Sequence, residues 1–333
     1  MICINVLIVV VGLSGNMLIL VGSMRYKALQ MDKISVLLLE NVALSDLLST
    51  LTLYVPMLTT LCAQQWALGS FLCYFLGYLK YIPGWAEVYL VLATSLYKLW
   101  RLLRPLSVPL SKRRGVILAT SIWVVMACRG ISGIFMRSFA MYTPFALQCH
   151  PTFLFDKTGV TASKAAYFFF QVSGPIMVFS SMMVIIFSNA SMLCIVAKYS
   201  KHHRQCMNNT EHANNLKSNN TKAVITITRV CAVYIISYSP YIVFTMLGVV
   251  GVASPMWFNL TLNYTAGLNV IANWFVYTMT NKRFACFMKK MVGFQADPAK
   301  VRSIATAVST LQIEDGIELG EIVARVADKK NSE

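Results

Sequence analysis

The chain has 333 residues, of which 57% are hydrophobic and only 13% charged, and its mean hydropathy is +0.61. Such a composition points to a membrane protein. The formal charge of +16 invites a nucleic-acid reading, which the placement of that charge excludes.

Seven long apolar stretches follow one another along the chain, at residues 2–24, 34–60, 71–97, 115–136, 162–197, 223–250 and 257–280. Each reaches the roughly 20 residues that a helix needs to cross a hydrocarbon layer about 30 Å thick. Helix is the expected form, because lipid offers no water to satisfy backbone N–H and C=O groups. The intervening stretches 25–33, 98–114, 198–222 and 282–290 hold 18 Lys and Arg, while 61–72, 137–164 and 248–256 hold three. The positive-inside rule therefore puts the first set in the cytosol, the amino terminus outside and the carboxyl terminus inside. No basic residue precedes the first segment, and Arg25 and Lys27 follow it, so it reads as an uncleaved anchor. A ligand is then expected at the loops and the outer half of the bundle. Composition shifts only in the polar stretch 200–221 and from Gly293 onward, giving a membrane domain over 1–292 and a cytosolic tail over 293–333.

Short motifs lie along this frame in a telling order: Gly15-Asn16, Leu44-Ser45-Asp46, Trp66-Ala67-Leu68-Gly69 leading to Cys73, Arg104-Pro105-Leu106, Trp123 and Pro175. Tyr238-Ser239-Pro240-Tyr241, Asn269, Asn273-Trp274-Phe275-Val276-Tyr277 and Asn281-Lys282-Arg283-Phe284 complete the series. In this order, over about residues 5–292, the chain resembles the rhodopsin-like (class A) family of G-protein-coupled receptors, as an orphan and divergent member. Each motif has a plainer reading as well. Asn16, Asp46, Asn269 and Asn273 can serve as interhelical hydrogen-bonding glue worth about 1 kcal/mol each, and Pro175 and Pro240 as helix kinks.

The resemblance implies a seven-helix all-α membrane bundle with a short amphipathic helix after the seventh crossing, in the plasma membrane as a multi-pass protein. It implies a disulfide between Cys73 and Cys149, and Cys286 matches a common palmitoylation position. It also implies a sodium ion at Asp46, within a polar site that includes Asn16, Asn269 and Asn273. The matching position in helix three is Glu87, where relatives carry a small polar residue. Two carboxylates in one cavity are expected to share a proton or hold a cation between them; the alternative is that Glu87 turns aside to a basic neighbour. Toward the outer side the charges are positive. Lys80 stands where amine receptors keep an aspartate, Arg129 in the outer half of helix four and Lys164 near the outer end of helix five. With Tyr167 and Tyr241 they form the expected ligand site, suited to a peptide or an anionic small molecule rather than an amine. Snorkelling of Lys164, and of Lys80, to the interface is the competing account. Residues 257–281 contain no lysine for a retinal Schiff base.

Several switch positions depart from the family. Tyr97-Lys98-Leu99 replaces the acid, arginine and tyrosine at the inner end of helix three. Lys98 keeps a cation there but loses the planar fork of arginine. Tyr238 replaces a tryptophan, Tyr234 a phenylalanine, Met183 a tyrosine and Trp274 a proline. Tyr97, Lys98, Tyr238, Pro240 and Tyr277 are the expected coupling and switch residues. The partners implied are an extracellular ligand, a heterotrimeric G protein, arrestin at the tail and the lipid bilayer, with no nucleic acid. The alternative function is a non-signalling binding or scaffold protein on the same fold.

No enzyme is expected. His150, His202, His203 and His212 lie in loops, no phosphate loop or nucleophile elbow is present, and no cysteine pair has zinc spacing. No cofactor is expected either. Asn208 and Asn219 begin glycosylation sequons on the cytosolic side, and Asn259 begins one near the outer start of helix seven. In the tail, Ser303, Thr306, Ser309 and Thr310 suit phosphorylation and arrestin, while Val301, Ile304, Val308 and Leu311 give an alternative amphipathic face.

Overall fold

A computed structural model describes residues 1–25, 33–104, 108–135, 140–143, 147–151, 172–206, 224–225, 228–243, 247 and 256–280. The first crossing is α1 (Ile2–Arg25). The second combines α2 (Lys33–Ser49), a π-helical turn (Thr50–Tyr54) and α3 (Val55–Ala63). The third combines α4 (Gly69–Leu79) and α5 (Tyr81–Leu103), and the fourth is α6 (Lys112–Phe135). Strands β1 (Ala140–Thr143) and β2 (Gln148–Pro151) follow. The last three crossings are α7 (Ser173–Cys206), α8 (228–243) and α9 (Met256–Thr280). Met1–Phe284 forms one compact unit. Residues 285–333 lie outside the described residues, as do the expected boundary at 292/293 and the short helix after the seventh crossing.

The irregularities have local causes. Pro56 has no N–H, so the carbonyl of Thr52 cannot receive its usual helical bond, and Val55 N–H reaches back five residues to Thr50 O. That is the geometry of a π-bulge. The hydroxyls of Thr50 and Thr52 donate to Asp46 O and Leu48 O, both at 2.7 Å, a pattern that bends helices. Pro83 likewise removes the donor for Leu79 O, and the third crossing divides at Lys80, whose backbone stays right-handed helical. In α8, Pro240 deprives Ile236 O, and the Ser239 hydroxyl bonds it instead at 3.2 Å. Helices α5 and α7 run past the expected limits of 97 and 197, because Lys and Arg end an apolar run without ending a helix.

A main apolar core joins Leu38, Val42, Ala86, Leu90, Ile185, Met192 and Tyr234 from α2, α5, α7 and α8. Lipid gives no hydrophobic drive for helix association, so close packing of small residues matters more. A Cβ on Gly15 would lie 2.7 Å from Trp274, and one on Gly267 2.7 Å from Ile8, so α1 and α9 meet where only hydrogen fits. Leu7, Val125, Phe187, Ile236 and Phe275 are exposed, as residues facing acyl chains should be. The hairpin was not expected from the sequence. Its strands pair with Thr143 opposite Gln148 and Tyr142 opposite Cys149, and the expected Cys73–Cys149 disulfide, with Cα atoms 5.2 Å apart, fastens β2 to α4.

Candidate functional site

Mid-bundle, five crossings contribute buried polar groups to one cluster. Asn269 and Asn273 are four residues apart and so share a face of α9. Asn273 Nδ2 donates to Asp46 Oδ2 at 2.9 Å, and Asn269 Nδ2 donates to Glu87 Oε1. The Tyr238 hydroxyl on α8 donates to Glu87 Oε2 at 3.1 Å. Asn16 on α1 spans to α9 through its amide nitrogen, 3.0 Å from Val270 O. Asp46, Asn16 and Asn269 are fully buried and Glu87 is 1% exposed, and the two carboxylates are near enough to repel one another. Asp46 Oδ1, Asn16 Oδ1 and Asn269 Oδ1 find no hydrogen-bond donor among the described residues. An enclosure with oxygen atoms left over and two carboxylates is chemically suited to a small hard cation or to carboxyl protons. The donor set thus fits the sodium ion that the resemblance implies. Among the described residues no group of three or more His, Cys, Asp or Glu gathers for a transition metal.

At the disulfide end, Lys80 is buried, and its ammonium donates to Gln148 Oε1 at 2.8 Å and to Cys149 O at 2.7 Å. It lies 5.3 Å from the centroid of the Tyr81 ring. Lys80 therefore straps β2 down beside the disulfide. Arg129 faces α7: its guanidinium sits 4.6 Å over the Trp85 ring and donates to Ser173 Oγ at 3.0 Å. It edges a small cavity with Trp85, Met126, Gly174, Met177 and Val178. Tyr241 is half-buried on α8. Lys164 and Tyr167 lie outside the described residues.

At the opposite end, Tyr97 is buried with its ring 6.1 Å from that of Trp100, and the Lys98 ammonium lies 6.0 Å from the Tyr97 ring centroid. Pro240 is half-buried in α8, and the side chain of Tyr277 lies outside the described residues.

Residues 15–287 match the profile of the 7 transmembrane receptor (rhodopsin family). The chain belongs to that family. As a rhodopsin-family receptor it is a multi-pass protein of the plasma membrane. It is 35% identical over 98 residues to the human "Probable G-protein coupled receptor 174" (Homo sapiens), covering 29% of this chain and 28% of that one. To "Neuropeptide Y receptor type 5" of Sus scrofa it is 26% identical over 114 residues, covering 34% and 25%. The chain thus spans little more than a quarter of the length of these relatives. The crystal structure of squid rhodopsin superposes with a TM-score of 0.66 over 87% of this chain and 78% of that one, at 19% identity, which shows the fold.

Within this rhodopsin-family bundle, sequence reasoning missed three contacts. Ser95 Oγ lies 3.2 Å from Cys231 Sγ and accepts from Asn189 Nδ2 at 3.4 Å, joining α5, α7 and α8. Trp123 Nε1 donates to Asn41 Oδ1 at 3.0 Å, joining α6 to α2. Gln148 was the third. Ser, Asn and Gln are too common in any chain for these to carry a signal before the helices are placed.

Proposed function

We propose that this receptor passes an extracellular signal to a heterotrimeric G protein by shifting the populations of two bundle conformations. The observation that supports the reading is the mid-bundle cluster. Asp46, Glu87, Tyr238, Asn269 and Asn273 tie α2, α5, α8 and α9 together by side-chain hydrogen bonds, with oxygen atoms to spare. Spare oxygen atoms let such a network exchange partners, and whatever occupies it weights one pairing over another. A sodium ion, when bound, supplies positive charge to Asp46 and to the leftover amide oxygens. The chain's own part is to orient Asn269 and Asn273 on one face of α9 and to hold Tyr238 against Glu87. A ligand at the disulfide end acts on the same helices, since Lys80 and Glu87 both belong to the third crossing. Lys80 and Arg129 favour an anionic small molecule or a peptide with an acidic group. The phosphorylatable tail residues suit arrestin.

The test is nucleotide exchange on purified heterotrimeric G proteins by the receptor in nanodiscs, with sodium or potassium as the salt. Ligand-independent exchange that is lower in sodium is expected. Tyr97-Lys98-Leu99 favours a second reading, a non-signalling binding or scaffold protein, and exchange no faster than with empty nanodiscs across all G-protein classes would select it.

A further inference from the structure

We propose that the Ser95 hydroxyl is a two-position switch between the mid-bundle cluster and Tyr97, paired with Cys231 of α8 in one conformation and with Asn189 of α7 in the other. This rests on the receptor reading above and deepens it, making Ser95, Asn189 and Cys231 positioning residues for the shift between two bundle conformations. All three are buried. Asn189 Nδ2 donates to Ile185 O at 2.8 Å and to Ser95 Oγ at 3.4 Å. A backbone carbonyl can only accept, so the amide is fixed in this orientation and its remaining atom is the oxygen. That Oδ1 is buried and finds no donor among the described residues. Ser95 Oγ, having accepted from the amide, keeps its one proton for Cys231 Sγ at 3.2 Å, and the thiol lies beside the Asn189 amide as well. Oδ1 is carried by the same carbon as the nitrogen already bonded to Ser95, so the hydroxyl has a second acceptor next to the sulfur.

The two pairings are chemically unequal. Sulfur is a weak acceptor and an amide oxygen a good one. Leaving Cys231 therefore costs the hydroxyl little, and a buried amide oxygen that is expensive to leave unmade gains its donor. What keeps the hydroxyl on the thiol is the packing of α8 against α5. The place along the seam matters too. Tyr238 and Cys231 lie about two turns apart on α8, and Glu87 and Ser95 about two turns apart on α5. The bonds from Tyr238 to Glu87 and between Cys231 and Ser95 thus fasten the same antiparallel pair at two heights. A change in the mid-bundle cluster that frees Tyr238 from Glu87 is felt next at Cys231, and the Ser95–Asn189 pairing holds α5 to α7 while α8 departs.

Alkylation of the full chain in nanodiscs by N-ethylmaleimide is the test, with the Cys231 peptide resolved by mass spectrometry from those of the exposed cysteines. A buried thiol reacts when α8 departs, so its rate follows the released population. Asn189→Leu removes the acceptor used only in the released form and leaves the Ser95–Cys231 pairing, so Cys231 should be alkylated about threefold to tenfold more slowly than in the parent. Ser95→Ala removes both pairings, the stronger and the weaker, and should slow the reaction by about twofold; it carries the test if Asn189→Leu does not fold. Loss of stability alone can only speed the reaction, so slowing is the signature of a lost bond in the released form. A rate equal to or above the parent's in the folded Asn189→Leu variant, or in Ser95→Ala where that one stands in, overturns the switch. Ligand-independent nucleotide exchange should fall in the same order. Slowed alkylation with no exchange by the parent overturns the signalling reading and leaves the switch standing.

Discussion

The mid-bundle cluster and the hairpin strap are both buried and polar, yet they are mismatched in opposite senses. Around Asp46 and Glu87 the leftover atoms include three amide and carboxylate acceptors, on Asp46, Asn16 and Asn269. Under the hairpin the leftover atom is a donor, on Gln148 beside a lysine. A buried site with too many oxygens invites a cation or a proton, and one with too many N–H groups invites an anion. The two regions also differ in how they are held. The hairpin has a covalent bond and two hydrogen bonds from an ammonium, while the cluster has hydrogen bonds alone.

That difference predicts the largest effect at the hairpin. Cys73→Ala or Cys149→Ala removes a bridge closing 76 residues, worth roughly 4 kcal/mol in the chain-entropy account. Surface immunodetection should fall to a small fraction of the parent for either variant, and the double variant should be no worse. Additive loss would mean that the two cysteines act separately.

In the cluster, Glu87→Leu strands the Tyr238 hydroxyl and the Asn269 amide at once, and should cost about 2–4 kcal/mol, read as a lowered unfolding temperature in detergent. Glu87→Gln should cost less but alter the sodium response of nucleotide exchange. Asp46→Asn should alter it too, and the pair should combine non-additively. Full additivity at equal expression would separate the two carboxylates into independent sites.

Tyr238→Phe removes one donor from Glu87 and should cost about 1–2 kcal/mol. A sharper form restores the family's usual types: Glu87→Ser with Tyr238→Trp should be closer to the parent in unfolding temperature than either single change. A double variant worse than both singles would show that the two departures did not arise as a matched pair. The smallest effect is expected outside both regions. Trp123→Phe loses the bond to Asn41 and about 1 kcal/mol, with no change in sodium response.

Much of the fold was legible because apolar length is a strong signal. The seven stretches correspond to α1 through α9, and errors fall where helix and hydropathy part company: α5 continues to Leu103 and α7 to Cys206 through basic residues. The disulfide was legible through the family resemblance, whereas the hairpin was not. Four-residue strands such as Ala140–Thr143 carry too little periodicity to be recognised. In the site, Asp46 and Glu87 stood out because charge in lipid is costly. Their partners were harder to read. Tyr238 and Glu87 were each noted as departures, but only the fold shows the hydrogen bond that relates them. Trp274 is similar: replacing a proline, it packs where Gly15 has no side chain. Lys80 was read as facing a ligand, and its two bonds to β2 depend on a hairpin that the sequence did not announce.

The π-helical turn at Thr50–Tyr54 makes the second crossing a matter of phase. One residue beyond the α-helical count turns everything after it by about 100° relative to an unbroken helix. Below the turn the helix presents Asp46 to the cluster, and at its upper edge Tyr54 is buried with its hydroxyl donating to Asn263 O at 3.1 Å. Deleting a single residue between 50 and 54 would therefore remove that extra residue and leave an unbroken α-helix, in which Tyr54, Met57 and Thr60, all now buried, face as they do now but one position earlier in the count. The same shift would displace by one position any residue-by-residue correspondence with a relative that lacks the turn, so the half of this crossing beyond the turn has to be compared by three-dimensional position and not by counting from Asp46.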